Sequence, residues 1–137
     1  MSLSRYLVDT NVILRFLSGQ PAAQARAAQK LFARAVNGEI ILDVSPVIVA
    51  EAFYTLTSYY GVERKTAAEK ISLLLQQHGI KIREENAILA ALACLQTSNV
   101  GFADAFLASA AAEENVAIAS FDRDFDKLNV SRYEPPS

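Results

Sequence analysis

Four carboxylates sit in settings that carboxylates avoid. Asp9 follows Tyr6-Leu7-Val8, and Glu51 interrupts the apolar run from Val47 to Phe53. Asp104 lies within Phe102-Ala103-Asp104-Ala105-Phe106, and Asp122 follows Ala117-Ile118-Ala119-Ser120-Phe121. A carboxylate carried into an apolar setting needs a partner or a cation. Taken singly, each has an ordinary explanation: Asp9 and Asp122 could cap the helices that follow them, and Glu51 could face water. Taken together they lack basic partners, since Arg15 and Arg123 alone would leave most of the charge uncompensated. Crowded carboxylates repel, and a divalent cation relieves that repulsion.

Oxygen-only ligands select hard ions, so Mg²⁺ or Mn²⁺ is the expected cofactor, as one ion or two. Zinc would normally draw on His or Cys, and the chain has one of each. His78 is expected in the last turn of a helix before Gly79, where positive charge suits the helix dipole. Cys94 lies in Ala91-Leu92-Ala93-Cys94-Leu95 and reads as a buried structural thiol; a reducing cytoplasm fits it. No Ser–His–Asp order and no Cys–His pair points to a covalent nucleophile. No GxxxxGK[ST] loop points to nucleoside triphosphates. A carboxylate-held metal activates water and stabilises charge on a phosphoryl group. Hydrolysis of a phosphodiester is the chemistry these residues suggest.

The elements that must position the four acids alternate between strand and helix. Arg5 to Val8 reads as a strand ending at Asp9, and Val12 to Leu17 as a short helix stopped by Ser18-Gly19. Pro21 opens a helix that keeps Ala25, Ala28, Phe32 and Ala35 at helical spacing until Asn37-Gly38. Ile40 to Leu42 is a second strand. Ser45-Pro46 reads as an N-cap and first helical residue, before a stripe of Val49, Phe53, Leu56 and Tyr60. Residues 64–78 form an amphipathic helix, Ile80 to Arg83 a strand, and Ala87 to Leu95 and Ala103 to Ala112 two further helices. Ala117 to Ser120 is a strand, Asp122 to Leu128 a final helix, and Val130 to Tyr133 an edge strand. Such alternation favours a mostly parallel sheet covered by helices, with its site beyond the carboxyl ends of the strands.

The chain has 137 residues, 52% hydrophobic and 20% charged, which suits one domain spanning 1–137 and argues against disorder. Only Glu134 to Ser137 reads as a loose end. The longest apolar run, Ala87 to Leu95, is half of the roughly 18 residues a membrane helix needs, and no secretory signal is expected. The formal net charge of −2 looks wrong for a nucleic-acid binder. Setting the four acids aside as metal ligands leaves 11 acids against 13 bases, which weakens that objection.

In sequence order, Val8-Asp9-Thr10-Asn11-Val12-Ile13-Leu14, Ala50-Glu51, Phe102-Ala103-Asp104-Ala105 and Ser120-Phe121-Asp122-Arg123-Asp124-Phe125 resemble the four acidic motifs of PIN domains, from about Leu7 to Phe125. The resemblance implies a three-layer α/β/α fold and a Mg²⁺- or Mn²⁺-dependent endoribonuclease. The short chain looks most like the VapC-type toxins of toxin–antitoxin pairs. Such a toxin cuts RNA, commonly tRNA or rRNA, forms a homodimer, acts in the cytoplasm and is silenced by an antitoxin. The acidic quartet carries over to Asp9, Glu51, Asp104 and Asp122 as metal ligands, and the orienting polar residue to Asn11. Thr10 and Ser120 would support the quartet, with Ser120 standing where Thr is more frequent. Asp124 is either an accessory acid or, the simpler reading, a first-turn residue of the last helix, and Asp126 reads as solvated surface. Tyr54 and Tyr59, off the buried stripe, could line an antitoxin groove or a dimer surface. Two rivals stand beside this reading. An aspartate-nucleophile phosphatase would want a second Asp where Asn11 stands. A PIN scaffold without catalysis would act by binding and sequestering a partner.

Overall fold

The computed structural model describes residues 3–136. Ser137, in the expected loose end, lies outside them. The elements run β1 (Ser4–Leu7), α1 (Thr10–Ser18), α2 (Ala22–Val36), β2 (Ile40–Val44), α3 (Pro46–Ser58), α4 (Arg64–Leu75) and β3 (Ile80–Ile82). They continue with α5 (Glu85–Leu95), α6 (Phe102–Glu114), β4 (Ile118–Ala119), a 3-10 helix (Arg123–Lys127) and β5 (Arg132–Tyr133).

Local chemistry sets most of these boundaries. Gly19 closes α1 in the left-handed conformation, its N–H donating to the Arg15 carbonyl at 3.0 Å. The Ser45 hydroxyl accepts from the Ile48 N–H at the start of α3, and Pro46 fills the first turn where no N–H is needed. Pro21 stands just outside α2 rather than inside it. Three expectations change. The helix expected to reach residue 78 ends at Leu75, so His78 stands exposed in the turn before Gly79 rather than at a helix terminus. Tyr60 leaves the buried stripe because α3 ends at Ser58. The last expected α-helix is the 3-10 helix Arg123–Lys127, wound tightly from Asp122.

All strand pairs are parallel, as the alternating order requires, but the sheet is divided. β2 lies between β1 and β3, pairing Leu7 with Asp43 and Asp43 with Lys81, while β4 and β5 pair only with each other. β4 has two residues, of which only Ile118 is buried, too little apolar surface to dock it against β1. The main core lies on one face of β1–β2–β3, where Leu42 and Val44 meet Ile71, Leu75, Ile88 and Leu92 from α4 and α5. A small satellite core of Ala108, Ala111, Ile118 and Phe125 holds the two-stranded sheet against α6. The parallel register puts Arg5, Leu7, Asp43 and Lys81 together on the opposite face of the three-stranded sheet. Leu7 is 85% exposed there. At the mouth of β3, Gly79 has φ +84, and a Cβ would run into the Ala35 carbonyl of α2.

Candidate active site

The carboxylates reach water even though their neighbours in sequence do not. On α3, Val49, Ala52 and Phe53 turn inward, while Glu51 and Tyr54 point outward. Asp9 and Asp122 are likewise exposed, and Asp104 is half-buried in the first turn of α6. The apolar settings therefore belong to the other sides of the same elements, a correction to the expectation of four buried charges.

Thr10 joins the first two acids. Buried to 7% exposure, it donates its N–H to Asp9 Oδ1 at 2.8 Å and its hydroxyl to Glu51 Oε2 at 2.7 Å. One residue, through its backbone N–H and its hydroxyl, thus links the carboxyl end of β1 to the middle of α3. Asn11 is exposed, lines a groove with Arg15, Gln24 and Leu31, and makes no side-chain hydrogen bond among the described residues. The orienting contact expected of Asn11 is made here by Thr10.

The other acids gather around the 3-10 helix. Asp104 and Asp124 line one small cleft with Val100, Phe125 and Leu128. Asp122 Oδ1 accepts from the Asp124 N–H at 2.8 Å, capping the 3-10 helix, and the Asp122 N–H donates to Ser120 Oγ at 2.9 Å. Asp122 is therefore a cap, and its cap contact places Asp124 opposite Asp104. Lys127 lies 3.6 Å from Asp124, an exposed pair of little energetic weight.

Two arginines absent from the expected site hold it in place. Arg64 stacks over the Phe53 ring at 5.3 Å and donates to the carbonyls of Ser98 and Val100, fixing the loop that launches α6 and Asp104. Arg132 grips Asp126 through two nitrogens, at 2.9 and 3.3 Å, Glu134 at 2.9 Å and the Ser120 carbonyl at 3.1 Å. That grip holds the Asp126 carboxyl below its ordinary value, chiefly through the Arg132 hydrogen bond, and raises Arg132 through the same bond. Asp126 is exposed, as expected, and is at the same time the structural partner of Arg132. Sequence offered one signal for it, an acid six positions before an arginine beside a short strand.

The donor set is all oxygen, which fits a hard divalent ion. It comes in two half-sets, Asp9 with Glu51 and Asp104 with Asp124, and Asp122 is joined to the second only through the Asp124 N–H. Among the described residues, no three acidic, His or Cys side chains stand together closely enough to hold one ion. Cys94 is a partly buried free thiol and His78 is exposed, so neither adds a ligand.

The PIN domain family matches residues 6–130, nearly the whole chain and all four acids. The chain belongs to the PIN-domain family. PIN domains are generally nucleases, and they generally use divalent metal ions. None of the curated proteins matches the chain. The match runs from β1 past the 3-10 helix, so both half-sets belong to the PIN domain, and it stops short of the Arg132 clamp. The resemblance read from four short motifs therefore holds at the level of the family, and so does the α/β fold around a parallel sheet. No helix is long and apolar enough to cross a membrane among the described residues.

Proposed function

We propose that this PIN domain is a metal-dependent endoribonuclease, the VapC-like toxin of a toxin–antitoxin pair. The observation that carries the reading is the Thr10 bridge, which orients Asp9 and Glu51 on two separate elements at the carboxyl end of β1. The Thr10 N–H bond to Asp9 also caps α1, but the Thr10 hydroxyl bond to Glu51 serves no helix end, and a pair of ion-holding carboxylates needs its lone pairs aimed. Asp9, Glu51, Asp104 and Asp122 would hold Mg²⁺ or Mn²⁺, in one site or two. The bound ion would supply an activated water and charge stabilisation at a phosphodiester. The chain's own residues do the rest: Thr10 fixes the first half-set, Ser120 fixes the backbone of Asp122, and Asp124 lines the cleft as an accessory acid beside Asp104. The substrate is RNA, tRNA or rRNA, in the cytoplasm. Tyr54 and Tyr59, 69% and 82% exposed, would receive the antitoxin or the second subunit of a homodimer.

Purified protein is incubated with a mixed tRNA and rRNA pool in Mg²⁺, in Mn²⁺ and in EDTA, beside Asp9→Asn. The expected result is metal-dependent cutting that falls to background in the variant; cutting that survives in the variant sinks the assignment. The separation of the acids into half-sets favours one second reading, a PIN scaffold that binds a partner without cleavage. Calorimetric titration with Mn²⁺ distinguishes the two, since the scaffold would take up no ion at millimolar concentration.

A further inference from the structure

The open face of the three-stranded sheet carries a charge opposite to that of the whole chain. Arg5 and Leu7 on β1, Asp43 on β2 and Arg83 after β3 line a groove of about 460 Å³ with Ser45 and Pro46. Lys81 shares the face through its register with Asp43. Asp43, 6% exposed, accepts the guanidinium of Arg5 and fixes it in place. Lys81 and Arg83 are exposed and have no ion-pair partner among the described residues. Three cations against one carboxylate leave the face at +2, in a chain whose formal net charge is −2. The acids next in the chain, Glu84 and Glu85, do not line the groove.

We propose that this groove holds the phosphate backbone of the RNA strand leading to the active site. The inference rests on the ribonuclease reading and adds to it where the substrate lies. Two features select a polyanion of this kind. The planar, donor-rich guanidiniums of Arg5 and Arg83 match phosphate oxygens, and Arg5 is already held rigid by Asp43. The groove also lies next to the candidate site along the chain, because Leu7 in its wall is two residues before Asp9, just beyond the carboxyl end of the same strand. Leu7 and Pro46 offer apolar surface to sugars and bases between the charges. The α3 N-terminus at Ser45 and Pro46 adds a favourable dipole.

Binding of a fluorescein-labelled oligouridylate, followed by anisotropy in EDTA, tests this without relying on cleavage. The Lys81→Ala/Arg83→Ala double variant is the probe; both side chains are exposed, and circular dichroism checks the fold. Its affinity should fall roughly tenfold at moderate salt, and its dependence of log Kd on log salt should flatten by about 1.4, the loss of two phosphate contacts on a single strand. An unchanged affinity and slope, or no binding by the unaltered protein, overturns the proposal. So does displacement of the RNA by polyglutamate at equal or lower charge concentration, which would make the groove a dock for an acidic protein segment. Binding through the groove without cutting in the nuclease assay would instead overturn the ribonuclease reading and leave the groove standing.

Discussion

The two parallel sheets hold their strands by different means. β1–β2–β3 pairs over four and three positions and backs onto a continuous apolar core drawn from all six α-helices. β4–β5 pairs over two positions and backs onto four buried residues, with Leu128 and Val130 packed beside them. What the second sheet lacks in burial it gains from Arg132, whose guanidinium ties β5 to the 3-10 helix, to Glu134 and to the end of β4. Burial holds through changes of salt and acidity, whereas a charged clamp does not. β1 leads into Asp9 and β4 leads into Asp122, so these two acids differ in how firmly they are held.

The sharpest way to expose that difference is to cut equally into both cores. Leu42→Ala should destabilise the whole chain by about 2–5 kcal/mol, since Leu42 is fully buried in the sheet. Phe125→Ala removes a larger side chain from the satellite core and should leave global denaturant unfolding nearly unchanged. Its mark should appear in hydrogen exchange, as lost protection in β4 and β5 alone. Equal losses of global stability from both changes would show that the two sheets unfold as one.

A smaller effect is expected where the firm half meets the chemistry. Thr10→Val keeps the shape of the side chain and its N–H bond to Asp9 but removes the hydroxyl bond to Glu51. Metal affinity and cleavage should fall by about 10–100-fold, the usual cost of removing an orienting partner. Ser120→Ala should cost less, because the acid it serves keeps its bond to the Asp124 N–H. Isothermal titration with Mn²⁺ ranks the two variants; a Ser120 change that matches or exceeds the Thr10 change would contradict the comparison.

The smallest effect concerns acidity. The carboxyl of Asp126 titrates below its ordinary value of 3.8 because Arg132 bonds its charged form. A carboxyl lowered by folding contributes stability that is present above its unfolded value and lost as pH falls through the folded one. Acidification through that window should loosen β5 first, visible as shifts in the Arg132 and Tyr133 amide resonances while those of β2 stay put. Simultaneous movement in both sheets would place the weak point elsewhere.

Much of this architecture was legible in the sequence where periodicity and local stops coincide. Gly19, Asn37 and the Ser45-Pro46 pair fix helix ends through contacts within a few residues, so their signals are local. Helical spacing likewise marked Val49, Phe53 and Leu56 as core. What escaped depends on long-range pairing. A two-residue strand such as β4 carries no pattern that says which edge it joins, so the split of the sheet was not visible. The exposure of Glu51 followed from helical phase, which its apolar neighbours in sequence concealed. The basic face was hidden more deeply, because Arg5 lies near the start of the chain and Lys81 and Arg83 near its middle, and they meet only through the register of three strands. The motif residues named Thr10 as a support, but its two hydrogen bonds, to Asp9 and to Glu51, depend on how β1 and α3 come together in space.

The contact between Gly79 and Ala35 reaches beyond this one sequence. Gly19, Gly38 and Gly61 also have positive φ, but open space surrounds the place where a side chain would begin. At those three positions Asn, which tolerates such a backbone, should substitute at modest cost. At Gly79 a side chain is blocked twice, by its backbone angle and by the carbonyl of a neighbouring helix. In a library carrying every substitution at every position, sorted for folded protein alone, the column for residue 79 should stay empty. The column for Glu51, exposed on α3 and at no helix end, should fill, because folding does not need what chemistry would.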